Sequence, residues 1–139
     1  MLLRNRIKVI PRERLVDKRG WFVKVINGKE SHLSSDIGEI YSILANPGET
    51  RANHYHDLAQ EWFTLIQGKA ELQLEDIYTK EKICLCLDSD NPQTIFVPNK
   101  IAHSFINHAR DPFILIAYSD QQYDPADTIP YEWAVKVTK

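Results

Sequence analysis

The chain has 139 residues, 43% of them hydrophobic and 26% charged, with a formal net charge of −2. That length suits one compact domain spanning residues 1–139, and the charge balance gives no electrostatic reason to expect a nucleic-acid partner. No apolar run has the length of a signal peptide or a membrane span, so no membrane partner and a cytoplasmic setting are expected.

Residues 1–10 carry Leu2, Leu3, Ile7, Val9 and Ile10, apolar enough for an edge strand. Interleaved Arg4, Arg6, Lys8, Arg12 and Arg14, with Glu13 and Asp17 among them, read as a solvated edge. Strand-like runs follow one another: 6–10, 21–26, 37–46, 51–56, 61–67, 70–77, 82–87, 93–97, 101–108 and 113–119. Turn signals separate them at Asn27-Gly28, Pro47-Gly48, Gln67-Gly68, Asn91-Pro92 and Arg110-Asp111-Pro112. Ala70, Leu72 and Leu74 alternate with Glu71, Gln73 and Glu75, as a half-buried strand requires. Cys84 and Cys86, two apart, suit neither a disulfide framework nor a C-x-x-C site and read as small apolar side chains on one sheet face. No segment repeats the i, i+3, i+4 pattern of an amphipathic helix. Short strands at this density make an all-β antiparallel sandwich or small barrel. The tail from Tyr123 combines turn chemistry with aromatics and is expected to wrap the barrel or a neighbouring subunit.

The chemistry concentrates between Gly48 and Gly68, where the spacing is G-x5-H-x-H-x4-E-x6-G, and in a second element at Pro98, His103 and Asn107. On a strand His54 and His56 project from one face. Glu61 is an odd number of residues from His56, so a four-residue hairpin loop at 57–60 is expected to make the two cross-strand partners. Phe63 and Leu65 then point inward with Glu61, and Trp62, Thr64 and Ile66 outward. Ile101, His103, Phe105 and Asn107 share one strand face, and barrel closure would set His103 opposite the histidine pair. Three imidazoles and one carboxylate (His54, His56, His103 and Glu61) suit a divalent ion, with Zn, Mn, Fe and Ni all compatible.

These two elements resemble the paired motifs of the cupin superfamily, which implies an antiparallel double-stranded β-helix, the cupin or jelly-roll barrel. The resemblance makes His54, His56, Glu61 and His103 the metal ligands. The glycine usual in the second motif's turn is replaced by Lys100, and Asn99 is expected to take the positive φ instead. Asp17-Lys-Arg-Gly-Trp-Phe, Gly48-Glu-Thr-Arg-Ala-Asn-His-Tyr-His and Tyr123-Asp-Pro resemble RmlC-like cupins of surface-polysaccharide synthesis. Those groups epimerise or isomerise keto-sugar nucleotides, and in the epimerases an R-x-x-H element supplies the base; Arg51 and His54 match its spacing.

The resemblance implies a sugar-nucleotide substrate, a homodimer and enolisation beside a carbonyl, which needs a base near neutral pH and a stabiliser for the enolate oxygen. His54 suits the first role, and Arg51 or a metal the second. Arg51 would meet the diphosphate, with Asn107 as a further substrate contact; a rim salt bridge to Glu49 or Asp57 is the alternative for Arg51. Tyr41, Tyr55 and Tyr118 are candidates for returning the proton. His54 cannot at once be a ligand and a free base, and the completeness of the ligand set favours the metal. The rivals are an Fe(II)-dependent dioxygenase and a non-catalytic ligand-binding cupin.

Overall fold

The structure is a computed structural model that describes residues 1–33 and 38–133. A four-residue helix α1 (Leu3–Arg6) precedes β1 (Lys8–Pro11), β2 (Arg14–Asp17), β3 (Gly20–Val23), β4 (Glu39–Ala45), β5 (Thr50–Tyr55) and β6 (Glu61–Gln67). Then come β7 (Lys69–Asp76), β8 (Lys82–Asp88), β9 (Gln93–Val97), β10 (Ile101–Ile106), β11 (Phe113–Ser119) and β12 (Ile129–Pro130). Two five-stranded sheets, ordered β1-β9-β6-β11-β4 and β12-β5-β10-β7-β8, are antiparallel throughout; β2 and β3 form a separate hairpin. This is the expected all-β barrel.

Alternation places the core between the sheets. Leu72 and Leu74 of β7 and Phe105 of β10 meet Phe63 and Leu65 of β6 and Leu115 of β11, all at most 2% exposed. The Phe63 and Phe105 rings cross edge to face with centroids 4.9 Å apart, joining one sheet to the other. The glycine after β6 is structural: Gly68 has φ +90°, and an added Cβ would lie 2.9 Å from the Pro112 carbonyl.

Several boundaries differ from expectation for physical reasons. Residues 1–10 do supply an edge strand, β1 on β9, but Leu3 and Ile7 turn into the core from a helical start. The run expected at 21–26 stops at Val23 and pairs with β2 across a turn at Lys18-Arg19, after which Gly20 opens β3 with φ +136°. The following irregular stretch covers the outer face of the first sheet. There the buried Arg12–Glu30 ion pair, the Arg12–Thr94 bond and the Thr94–Val25 bond hold it down. Trp62 and Thr64 do point away from the core, yet both are buried beneath this cover: Trp62 packs with Phe96 and Tyr118, flanked by Ile26 and Leu33. Ile37 lies outside the described residues. Cys84 and Cys86 are free and exposed on β8.

The tail does wrap the chain's own barrel. Residues 125–127 form one helical turn and β12 then joins the edge of β5, with Ile129 opposite Tyr55 and Pro130 opposite His54. The positive φ of the second motif falls on Lys100 itself (φ 65°), not on Asn99. Lys100 N–H donates to the His56 carbonyl at 2.7 Å, so the turn keeps the shape that the missing glycine would have given.

Candidate metal centre

The site is built on β10. His103, 1% exposed, stands directly opposite His54 on β5. Pairing then slips, Ser104 facing Ala52, so that Asn53 is an extra residue in a bulge. Ala52 and Asn53 both take left-handed φ (71° and 68°), an uncommon conformation beside a candidate site. The bulge lies immediately before the two histidines and so governs their aim.

The carboxylate comes from the opposite sheet. β5 pairs with β10 and β12, whereas β6 pairs with β9 and β11, so residues 57–60 cross between sheets and form no hairpin. The expected meeting of His56 and Glu61 nevertheless occurs, across the barrel instead of along a ladder. Glu61 Oε1 lies 3.0 Å from His56 Nε2 and 3.5 Å from His103 Nε2. Ring centroids of His54 are 4.8 Å from His56 and 5.0 Å from His103, and one nitrogen of each ring falls within 4.8 Å of the others.

Hydrogen bonds fix how two of the rings present themselves. His56 Nδ1 donates to the Asp127 carbonyl at 2.7 Å, and His103 Nδ1 to the Ile101 carbonyl at 3.2 Å. A carbonyl only accepts, so the proton of each neutral ring sits on Nδ1 and the Nε2 lone pair faces the centre. Tyr41 Oη donates to Glu61 Oε2 at 2.6 Å, leaving Oε1 to face the imidazoles. Nε2 of His56, Nε2 of His103 and Oε1 of Glu61 are buried with no hydrogen-bond partner. Three unpartnered lone-pair atoms converging on one point is the arrangement a divalent ion would satisfy.

Electrostatics agree with that reading for His54 and His103 and run against it for His56. Burial, then the neighbouring His103 and His56, push the His54 pKa down to about 4, so the ring is neutral at pH 7. Burial likewise lowers His103. For His56 burial is outweighed by the Glu61 carboxylate and its pKa rises; for Glu61 burial is outweighed by the imidazoles and its pKa falls. Burial and Glu61 push the Tyr41 hydroxyl well above its usual range, which makes it a donor and not a base.

A pH dependence follows for the ion-free protein. Between the His54 pKa of about 4 and its ordinary 6.5, the unfolded chain binds more protons than the folded one. Stability is therefore lost as pH falls through that window, by about 1–2 kcal/mol after solvent screening at the cavity mouth. His103 acts in the same sense and His56 in the opposite one. Urea midpoints of chelator-treated protein should fall between about pH 7 and pH 5, and less steeply in His54→Asn; an equal slope in the variant would refute the assignment.

A cavity of about 440 Å³ opens above the cluster, lined by Tyr41, Arg51, His54, Glu61, His103 and Tyr123 among others. Arg51 is at its exposed rim and donates to the Leu44 carbonyl at 2.7 Å; among the described residues it makes no ion pair with Glu49 or Asp57. Three expected site residues stand elsewhere. Tyr118 points to the outer face of its sheet, packed 5.3 Å from Trp62. Asn107 is fully buried, its amide donating to the Ala45 and Asp111 carbonyls and its oxygen accepting from Ala109 N–H, a loop brace with no face toward the cavity. Tyr55 also turns away, packing on Tyr131.

Sequence reasoning missed Asp127. It is 8% exposed; its carboxylate accepts the N–H groups of Asp57, Leu58 and Ala59 and its carbonyl holds His56. Within the tail it reads as an ordinary turn aspartate, and no spacing links it to His56.

Residues 15–131 match the family model described as "Polysaccharide biosynthesis C-terminal domain". The spore coat polysaccharide biosynthesis protein SpsL of Bacillus subtilis (strain 168) is 27% identical, covering 78% of this chain and 75% of its own. Among solved structures, a dTDP sugar isomerase from Desulfovibrio desulfuricans G20 superposes with a TM-score of 0.80 at 18% identity, over 91% of this chain and 90% of that one. QdtA, a sugar 3,4-ketoisomerase from Thermoanaerobacterium thermosaccharolyticum in complex with TDP, gives 0.75 at 21% identity over 94% and 90%.

Proposed function

We propose, since the chain belongs to the polysaccharide biosynthesis C-terminal domain family and has the RmlC-like cupin fold, that it is a metal-binding epimerase or isomerase of a 4-keto sugar nucleotide, dTDP- or UDP-linked. The observation that carries this reading is the cluster of His54, His56, His103 and Glu61 at the floor of a cavity of small-molecule size. The dTDP-sugar isomerase and sugar ketoisomerase among the structural relatives suggest the substrate class.

His56, His103 and Glu61 are the anchored ligands, each with its far atom tied by a hydrogen bond. A divalent ion held there would polarise the substrate carbonyl as a Lewis acid. The His54 side chain makes no hydrogen bond among the described residues, so it is the member freest to turn toward the substrate and take the proton beside that carbonyl. Burial keeps it neutral and able to accept. Tyr41 keeps its proton, donates it to Glu61 in the resting site and lines the cavity, so it is the group left to return a proton to the substrate; Arg51 at the rim would meet the diphosphate.

The test is deuterium exchange from solvent into dTDP- and UDP-linked 4-keto-6-deoxy sugars, because enolisation exchanges a carbon-bound proton whatever the product. It is paired with elemental analysis of protein prepared without chelator. Exchange together with a stoichiometric divalent ion is the expected outcome. No exchange, with oxygen consumption after Fe(II) loading, would replace the reading by the dioxygenase; neither activity would leave a binding module.

A homodimer belongs to the same proposal. The β2–β3 hairpin exposes Leu15, Val16 and Phe22 (54%, 71% and 57%), and a lone two-stranded hairpin gains from a partner. Light scattering at micromolar concentration should give twice the chain mass; a monomer mass would exclude it.

A further inference from the structure

We infer that Asp127 is a positioning residue that sets the metal affinity of the cluster from outside it, by locking the loop after His56 and the His56 ring as one unit. Four hydrogen bonds run from this single residue to four consecutive ones. The carboxylate takes Asp57 N–H at 2.8 Å and Leu58 N–H at 3.0 Å on Oδ1, and Ala59 N–H at 3.1 Å on Oδ2. The carbonyl takes His56 Nδ1 at 2.7 Å.

The two halves of the residue are coupled. The carbonyl can hold the ring only where the carboxylate pins the backbone, and the carboxylate is pinned because three successive N–H groups in a part-buried loop have no other acceptor. Losing the carboxylate orphans those donors and frees the carbonyl to drift. His56 then loses the bond that fixes its tautomer, and its Nε2 lone pair is no longer presented to the centre in one orientation.

Residues 57–60 also carry the chain from the sheet holding His56 to the sheet holding Glu61, so the same bonds govern the approach of the two ligands, 3.0 Å apart. Gln60 N–H is tied separately to Asp120 Oδ1 at 2.9 Å, so the far end of the crossing stays held when Asp127 is changed. The tail strand β12 follows two residues later and lies against His54, so it remains available to seat the tail in a variant.

The inference rests on the metal reading above, and its test separates the two. Co(II) affinity is measured by competition with a chromophoric chelator for wild type, Asp127→Asn, Asp127→Ala and Glu61→Gln, with circular dichroism and urea midpoints recording the fold. In parallel the His56 ring is followed in ion-free protein by long-range proton–nitrogen NMR, which reports the tautomer directly. Asp127→Ala should bind Co(II) about 10- to 100-fold more weakly. Asp127→Asn keeps the Oδ1 acceptor for two of the three N–H groups and should fall between; it also serves if the alanine variant does not fold. His56 should be a single Nδ1–H form in wild type and a mixture in the variants.

Unchanged Co(II) affinity in folded Asp127→Ala, with affinity lost in Glu61→Gln, would overturn the positioning role while leaving the metal centre standing. If wild type binds no Co(II), the metal reading is what fails. The positioning role is then judged by the tautomer alone: a variant spectrum identical to wild type overturns it, and a mixed one upholds it.

Discussion

His54→Asn is expected to slow solvent exchange into the substrate by about 10²–10⁴-fold, the contribution typical of a positioned acid–base group. The ion should be retained, because His56, His103 and Glu61 keep their anchors: the Asp127 carbonyl, the Ile101 carbonyl and the Tyr41 hydroxyl. Glu61→Gln, by contrast, should lose the ion itself, since an amide cannot supply the negative charge that faces two Nε2 atoms at 3.0 and 3.5 Å. Arg51→Ala should act on binding, raising KM by about 10- to 100-fold through a lost charge-assisted bond with kcat nearly kept. Exchange rates, KM and metal content measured on the three variants separate the roles. Full exchange in His54→Asn would remove it as the proton acceptor.

Phe105→Ala is expected to destabilise the fold by about 3–5 kcal/mol. The ring is fully buried, crosses Phe63 at 4.9 Å and lies 6.4 Å from His103, so the void opens directly beneath the cluster. Against a usual total of about 5–15 kcal/mol, such a loss removes a large share of the stability. Phe22→Ala on the hairpin, where the ring is 57% exposed, should stay within about 0.5 kcal/mol in the monomer. Urea unfolding compares the two, and similar midpoints would contradict the placement of the core.

The strands were legible where one face is buried and composition alternates, as in β7, or where β-branched and aromatic residues run together, as in β6 and β11. The cluster residues His54, His56, Glu61 and His103 are legible from their spacing, and they do converge. The route by which Glu61 arrives is not: parity along a strand is silent about which sheet the next strand joins, so a crossing between sheets and a hairpin have the same spacing. Tyr118 and Asn107 were misplaced because a tyrosine or an asparagine in a strand pattern carries no mark of which face is lined by ligand and which by a covering loop. The cover over Trp62, by residues lacking any periodicity, has no local signature. Asp127 is unreadable because its partners are 68 to 71 residues away and mostly backbone.

The division of the cluster between the two sheets has a mechanical consequence. Three imidazoles ride on β10, β5 and the residue just beyond β5, while the carboxylate and its tyrosine ride on β6 and β4 of the other sheet. The gap between Glu61 and the histidines is thus a gauge of barrel thickness, closed or opened by whatever the core packs beneath it. A methylene added or removed between the sheets, away from the cluster itself, would be felt in that gap, because a close-packed interior transmits strain. If the proposed ion is held there, the fit of the site to an ion's size is written in the upholstery of the interior as well as in the donor atoms.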